Sequence, residues 1–372
     1  MSSLSDLQSL FFLLLQAGLR PTYLPEKQVE ISPEAWKALY SLANAQGVTG
    51  LIWDGAQRLF HAQIIPSQCA IPRLLKIQWA LNIENIQSLY ERQRRAIGRL
   101  AGFLQQHQIP MMVIKGYGLS LYYPTPEHRP CGDIDIWLFG KQEEADELLR
   151  KELDIKINVD VHHHTTFLFD GIMVENHFDF LNQHSHLSNR TIEAKLQAYA
   201  LQPTETVSVE GAMVHLPSAD FNALFLLRHA AVHFAATEIG MRQVVDWLLF
   251  VEHNHAKINW EELETFARKM NMHHFLHCIN AILIDHLGMK AGYVPDFQRN
   301  KPLENRVLND IFSPEFSEQQ EPRKGLAKII CFRFRRWWHN RWKHRIVFRE
   351  GLLQTFFVQV RSHLMKPQSL TH

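Results

Sequence analysis

The chain is short of cysteine, carries almost no net charge and has no long apolar run, and each shortage narrows what it can be. Its four cysteines, Cys69, Cys131, Cys278 and Cys331, are scattered with no C-x-x-C pair, which suits a reducing cytoplasm. Cys131 reads as a small packing residue rather than a nucleophile. A formal net charge of +1 argues mildly against a dedicated nucleic-acid binder, and a hydrophobic content of 46% argues against a disordered chain. The most apolar stretch, LFFLLLQAGL at 10–19, falls well short of the ~20 residues that span a bilayer. It has no basic segment before it and no small-x-small site after it, so a buried helix is expected and not a signal peptide. The length of 372 residues allows two or three compact units, and no internal repeat is visible.

What is present concentrates in MMVIKGYGLSLYYPTPEHRPCGDIDIWLF, residues 111–139. Asp133, Ile134, Asp135, Ile136 and Trp137 alternate polar with apolar, the period-two pattern of a half-buried strand. Asp133 and Asp135 then share one face, and Ile134 and Ile136 enter a core. Two ionised carboxylates side by side repel, so a fold that keeps both usually sets a cation between them. Upstream, Met111–Ile114 is β-prone and runs into Lys115 and Gly116, and Tyr117–Tyr123 follows as one or two helical turns. A strand entering a glycine turn and then a helix start offers free N–H groups to an anion. Lys115 adds a point charge there and Arg129 a planar fork suited to phosphate. Together these features suggest Mg²⁺-dependent nucleotidyl transfer.

At these residues the chain resembles the uncharacterised nucleotidyltransferase family of the polymerase-beta-type superfamily. The family's I-K-G turn, L-Y-P and R…G-D-I-D are matched by Ile114–Gly116, Leu121–Tyr123, Arg129 and Gly132–Asp135. The wider superfamily usually has Gly-Ser or Gly-Gly at the turn, where this chain has Lys-Gly-Tyr. The resemblance implies that Asp133 and Asp135 hold Mg²⁺ (or Mn²⁺) and an NTP triphosphate, with Lys115, Gly116 and Arg129 binding nucleotide. It implies a third acid at the family's (V/I)-(D/E)-x-H position, matched by Glu175 in GIMVENHFDFL. Glu175 and His177 share a face by alternation, and Asp179, two steps on, is the other candidate. The third acid would deprotonate an acceptor hydroxyl or complete a second metal site. A family R-x-x-x-D-W/L pattern places Arg242 and Asp246 at the nucleotide site, although by spacing alone they read as an intrahelical ion pair. The acceptor stays open: a small hydroxylated molecule or sugar, a protein side chain, or an RNA end.

Other readings stand beside this one. Asp-x-Asp can be a solvated strand face, and the chain can keep the fold while binding nucleotide or a membrane surface without catalysis. A phosphoester hydrolase would require His163, His184 or His186 to converge on Asp133 and Asp135. His229 and His233 lie one helical turn apart; with no third ligand in view, buried hydrogen-bonded rings are expected there rather than zinc. In VHHHTTFLF, His163 or His164 can face the carboxylates across the sheet, and His162 belongs to the same run. Between Arg333 and Arg349 seven basic residues and no acid alternate with Phe334, Trp337, Trp338 and Trp342. That pattern fits a surface helix seated by its aromatic side, an interfacial helix on anionic membrane, or contact with nucleic acid.

The expected fold is α/β (α+β), a small mixed-sheet nucleotidyltransferase core flanked by helical regions. The divisions are an N-terminal helical region at 1–98, the catalytic core at 99–216, helices completing the pocket at 217–290, a loose linker at 291–325, and the basic aromatic segment at 326–372. Helix starts are expected at Ser32–Pro33, Ser218 and Asn259, with a long helix over about 74–107 and a charged one at Lys141–Leu153.

Overall fold

A computed structural model of the chain describes residues 5–159, 163–317, 320–322 and 324–355. The apolar run near the start forms α1 (Asp6–Leu19), entered through a reciprocal cap between Ser5 and Gln8. Phe11, Leu14 and Leu15 are fully buried, as a core helix requires. α2 (Pro33–Ala45) starts at the Ser32 cap with Pro33 in its first turn, and α3 (Thr49–His61) crosses α1 at backbone contact. A Cβ on Gly18 would lie 2.0 Å from the Leu51 carbonyl oxygen, and one on Gly55 1.9 Å from that of Leu14, so only glycine fits at this crossing.

α4 (Arg73–Gln106) is a single 34-residue helix serving two cores. Leu75, Trp79 and Ile83 pack with the N-terminal helices, while Ile97, Leu100 and Leu104 pack under the sheet. Then follow β1 (Met112–Val113), α5 (Gly116–Ser120), β2 (Ile134–Trp137), α6 (Gln142–Leu153), β3 (His164–Phe169), β4 (Ile172–His177), α7 (Leu187–Ala200), β5 (Glu205–Val209) and β6 (Ala212–Leu216). The six strands form one mixed sheet ordered β3-β4-β2-β1-β6-β5. β2 with β4 and β1 with β6 are parallel, and the other neighbours antiparallel. Strand alternation sends Ile134, Ile136, Phe167, Ile172 and Val174 into one core with α4 and α6. Trp137 and Met112 join the larger core, and Asp135, Glu175 and His177 lie on that side of the sheet. The helices α8 (Ala219–Ala236), α9 (Met241–Asn254), α10 (Trp260–Lys269) and α11 (His273–Leu287) contribute to that core. Ser218 caps α8 and Asn259 caps α10, as their positions predict. The architecture is the α/β mixed sheet with flanking helices that the sequence leads one to expect.

The 291–325 stretch differs from expectation. It contains α12 (Lys301–Phe312), capped by the Asn300 side chain with Pro302 in the first turn, and Val307, Leu308, Ile311 and Phe312 are buried in the main core. Its Glu304 is also buried, paired with Arg299 at 2.8 Å.

The basic segment forms α13 (Leu326–His339) and α14 (Arg341–Val347). Part of its charge is paired inside the protein: Lys343 is buried 2.6 Å from Asp310, and Arg333 lies 2.7 Å from Glu321. Trp342 packs edge-on against Phe234 under the Arg306 guanidinium, so α14 is seated by its aromatic side. On α13, Ile330, Phe334 and Trp338, four residues apart on one face, are more than half exposed. No described helix is long and apolar enough to cross a membrane. His162 and residues 356–372 of the basic segment lie outside the described residues.

Candidate active site

β2 and β4 run parallel in a register that puts Asp135 beside Glu175 and Trp137 beside His177. Each strand's alternation aims its acid away from the α4/α6 core, so two separately encoded carboxylates become neighbours. One donor atom each from Asp135, Glu175 and His177 lie within 4.8 Å of one another. Asp135 Oδ1 accepts from Lys115 Nζ at 2.6 Å and from His177 Nε2 at 3.0 Å. His177 Nδ1 in turn faces the Asp179 carbonyl at 3.2 Å. Both ring nitrogens thus face acceptors, which only an imidazolium satisfies. Burial pulls the His177 pKa down, but hydrogen bonds to Asp135 and Glu175 outweigh it and hold the pKa above its ordinary value. Burial likewise opposes ionised Asp135, yet Lys115 and His177 hold it well below the usual carboxylate range. Lys115, also desolvated, is kept above its ordinary value by Asp135. His164 Nε2 reaches Glu175 at 3.6 Å, and burial pushes its pKa down to about 4.

Of this cluster, Lys115 and Asp135 line a cavity of about 330 Å³, together with Gly116, Asp133, His229, His233 and Arg242 and the apolar Leu227, Trp247, Phe275 and Ile279; Glu175 and His177 lie behind them. Asp133 is exposed at the rim, just before β2 begins. Gly116 has φ +44°, and a Cβ there would meet nothing closer than 3.6 Å; the left-handed backbone, not space, calls for glycine. Two carboxylates and an imidazole from β2 and β4 fit a divalent cation by charge and donor type.

Several expected residues take other places. The Arg129 fork is closed on Asp246, Nε to Oδ1 at 2.8 Å and Nη2 to Oδ2 at 2.9 Å. The Tyr123 hydroxyl donates to the same carboxylate at 2.8 Å, and Arg129 Nη1 reaches Cys131 Sγ at 3.1 Å. Asp246 therefore pairs across the fold and not along its own helix with Arg242, whose Nη1 points to the Pro130 carbonyl at 3.5 Å. Lys115, partly buried, points its ammonium at Asp135. β4 ends at His177, so Asp179 falls in the following bend, where its carboxyl bonds Gln183. His186 turns to Glu350 and stacks on Phe348 at 3.9 Å, away from the carboxylates, whereas His163 and His164 do approach His177. His229 is held well below its ordinary pKa by burial and by the Lys115 charge. In the sequence, Tyr123 carries no local mark of this contact beyond its place in L-Y-P.

Comparison with curated proteins finds no significant match. Among solved structures, an antigenic nucleotidyltransferase-like protein from Paracoccidioides brasiliensis is similar to the chain at 15% identity and a TM-score of 0.35, over 54% of this chain and 94% of that one. The profile of a family described as uncharacterised nucleotidyltransferases matches residues 32–287. That span holds the whole sheet and every residue lining the cavity, and by it the chain belongs to the uncharacterised nucleotidyltransferase family.

Proposed function

We propose that the protein transfers a nucleoside monophosphate from an NTP to a hydroxyl acceptor, releasing pyrophosphate. The observation that carries this reading is the in-register pair Asp135 and Glu175, with His177, beside a cavity lined by Lys115, Asp133, Asp135 and Arg242. Asp133, Asp135 and Glu175 are the residues that would hold Mg²⁺ or Mn²⁺. Such an ion supplies charge neutralisation of the triphosphate when bound. Lys115 and Arg242 place positive charge where phosphate oxygens would lie. Glu175, half-buried, would take the acceptor's hydroxyl proton as the acceptor oxygen bonds to Pα and the Pα–O bond to pyrophosphate breaks. The apolar wall around Trp247 and Phe275 suits a base or an apolar acceptor portion.

A second reading, nucleotide binding without transfer, is favoured by one contact. Asp135 Oδ1 is already taken by Lys115 and His177, which neutralises it without any ion. Incubation of the purified protein with α-³²P-labelled NTPs, Mg²⁺ or Mn²⁺ and a cell extract separates the two. Transfer predicts a labelled product that the Asp133→Ala/Asp135→Ala double variant fails to make. If NTP binds but no label moves with any base, metal or extract, the binding-only reading holds.

A further inference from the structure

Beside the carboxylates lies a histidine cluster that shares only His177 with the proposed nucleotidyl-transfer site. β3 and β4 pair antiparallel with His164 opposite His177, and His163 immediately precedes β3. The rings of the three histidines surround a common point, with centroids 4.4, 5.0 and 5.7 Å apart. One nitrogen from each lies within 4.8 Å of the others. Three imidazoles converging at the end of a hairpin gain little from one another, and a buried nitrogen left unsatisfied needs an explanation. His164 is 7% exposed, and its buried Nδ1 has no hydrogen-bond partner among the described residues. His177 Nδ1 faces the Asp179 carbonyl and Nε2 faces Asp135, so an ion taken by this ring would displace the Nε2 proton and its contact with Asp135.

We infer that His163, His164 and His177 form a site for a first-row transition-metal dication, of which Zn²⁺ is the type. The donor set decides the class of ion. Mg²⁺ takes oxygen ligands and keeps its waters, whereas imidazole nitrogen suits zinc and its neighbours. Zinc–nitrogen bonds of about 2.0–2.1 Å hold their donors roughly 3.3 Å apart, so modest side-chain rotations close the site from the observed spacing. Because His177 also belongs to the Asp135–Glu175 set, the ion would pin the end of β4 that carries Glu175. This inference does not depend on nucleotidyl transfer, since it is read from metal binding alone.

The test uses the full chain, stripped of metal and titrated with Zn²⁺ against a chromophoric chelator, and separately with Co²⁺ while its visible d–d absorption is followed. The expected result is one tight ion per chain, retained against excess Mg²⁺, with a Co²⁺ spectrum showing nitrogen ligation. His164→Ala and His163→Ala should each weaken Zn²⁺ binding by at least ~10-fold, with His164→Gln as the second variant if the alanine form fails to fold. His61→Ala, on the exposed end of α3, controls for adventitious histidine binding and should change nothing. Zn²⁺ binding that is weak and non-stoichiometric, or that survives unchanged in a folded His164 variant, overturns the inference.

Discussion

Asp135→Asn is expected to lower nucleotidyl transfer by about 10³-fold or more, and Asp133→Asn to do the same. Each removes a carboxylate charge from the position proposed for the metal and triphosphate. Charge stabilisation of several kcal/mol at such a position corresponds to about three decades in rate. The two substitutions should differ in stability. Asp135 is buried and compensates both Lys115 and His177, so removing its charge strands two cations and should lower the melting temperature. Asp133 is exposed at the rim, and surface substitutions of this kind stay within about 0.5 kcal/mol. Single-turnover rates and thermal melts of both variants check the expectation. An Asp133→Asn enzyme that keeps wild-type rate would remove Asp133 from the machinery.

Arg129→Ala should destabilise the protein by about 3–5 kcal/mol, the usual cost of leaving one member of a buried ion pair uncompensated. Both Arg129 and Asp246 are almost fully buried and joined by two hydrogen bonds. Arg129→Lys should not restore the loss, because an ammonium cannot reproduce the planar two-point contact. Urea denaturation measures this directly. If Arg129→Ala instead leaves stability within about 1 kcal/mol and abolishes NTP binding, the fork serves phosphate, as the sequence alone suggests.

That difference shows where the sequence stops being informative. Alternation within 133–137 and within 172–177 is a local signal, and it places Asp135, Glu175 and His177 on the correct faces. The parallel register that makes Asp135 and Glu175 neighbours, and the Arg129–Asp246 contact across 117 positions, are products of the tertiary fold. Caps at Ser32, Ser218 and Asn259 were legible because a side-chain oxygen must meet a free N–H at a fixed offset. β5 was not, since most of Glu205–Val209 is exposed on an edge strand, and only Val207 and Val209 reach the core. α7 buries Ser188, Asn189 and Glu193 together with its apolar residues, so its stripe is polar in part and escapes a hydrophobic-period reading. Asn300 and Pro302 do mark the start of α12, but the surrounding Pro, Asn and Glu made the stretch look like a connection.

The most direct test of the account is the fate of each phosphate, followed with α-³²P- and γ-³²P-labelled NTP in parallel and in the presence of the acceptor. The account predicts that α label enters the acceptor while γ label leaves in pyrophosphate, and that neither occurs with Asp135→Asn. Label from the γ position in the acceptor would mean phosphoryl transfer. That outcome, or the absence of both products, would contradict the assignment.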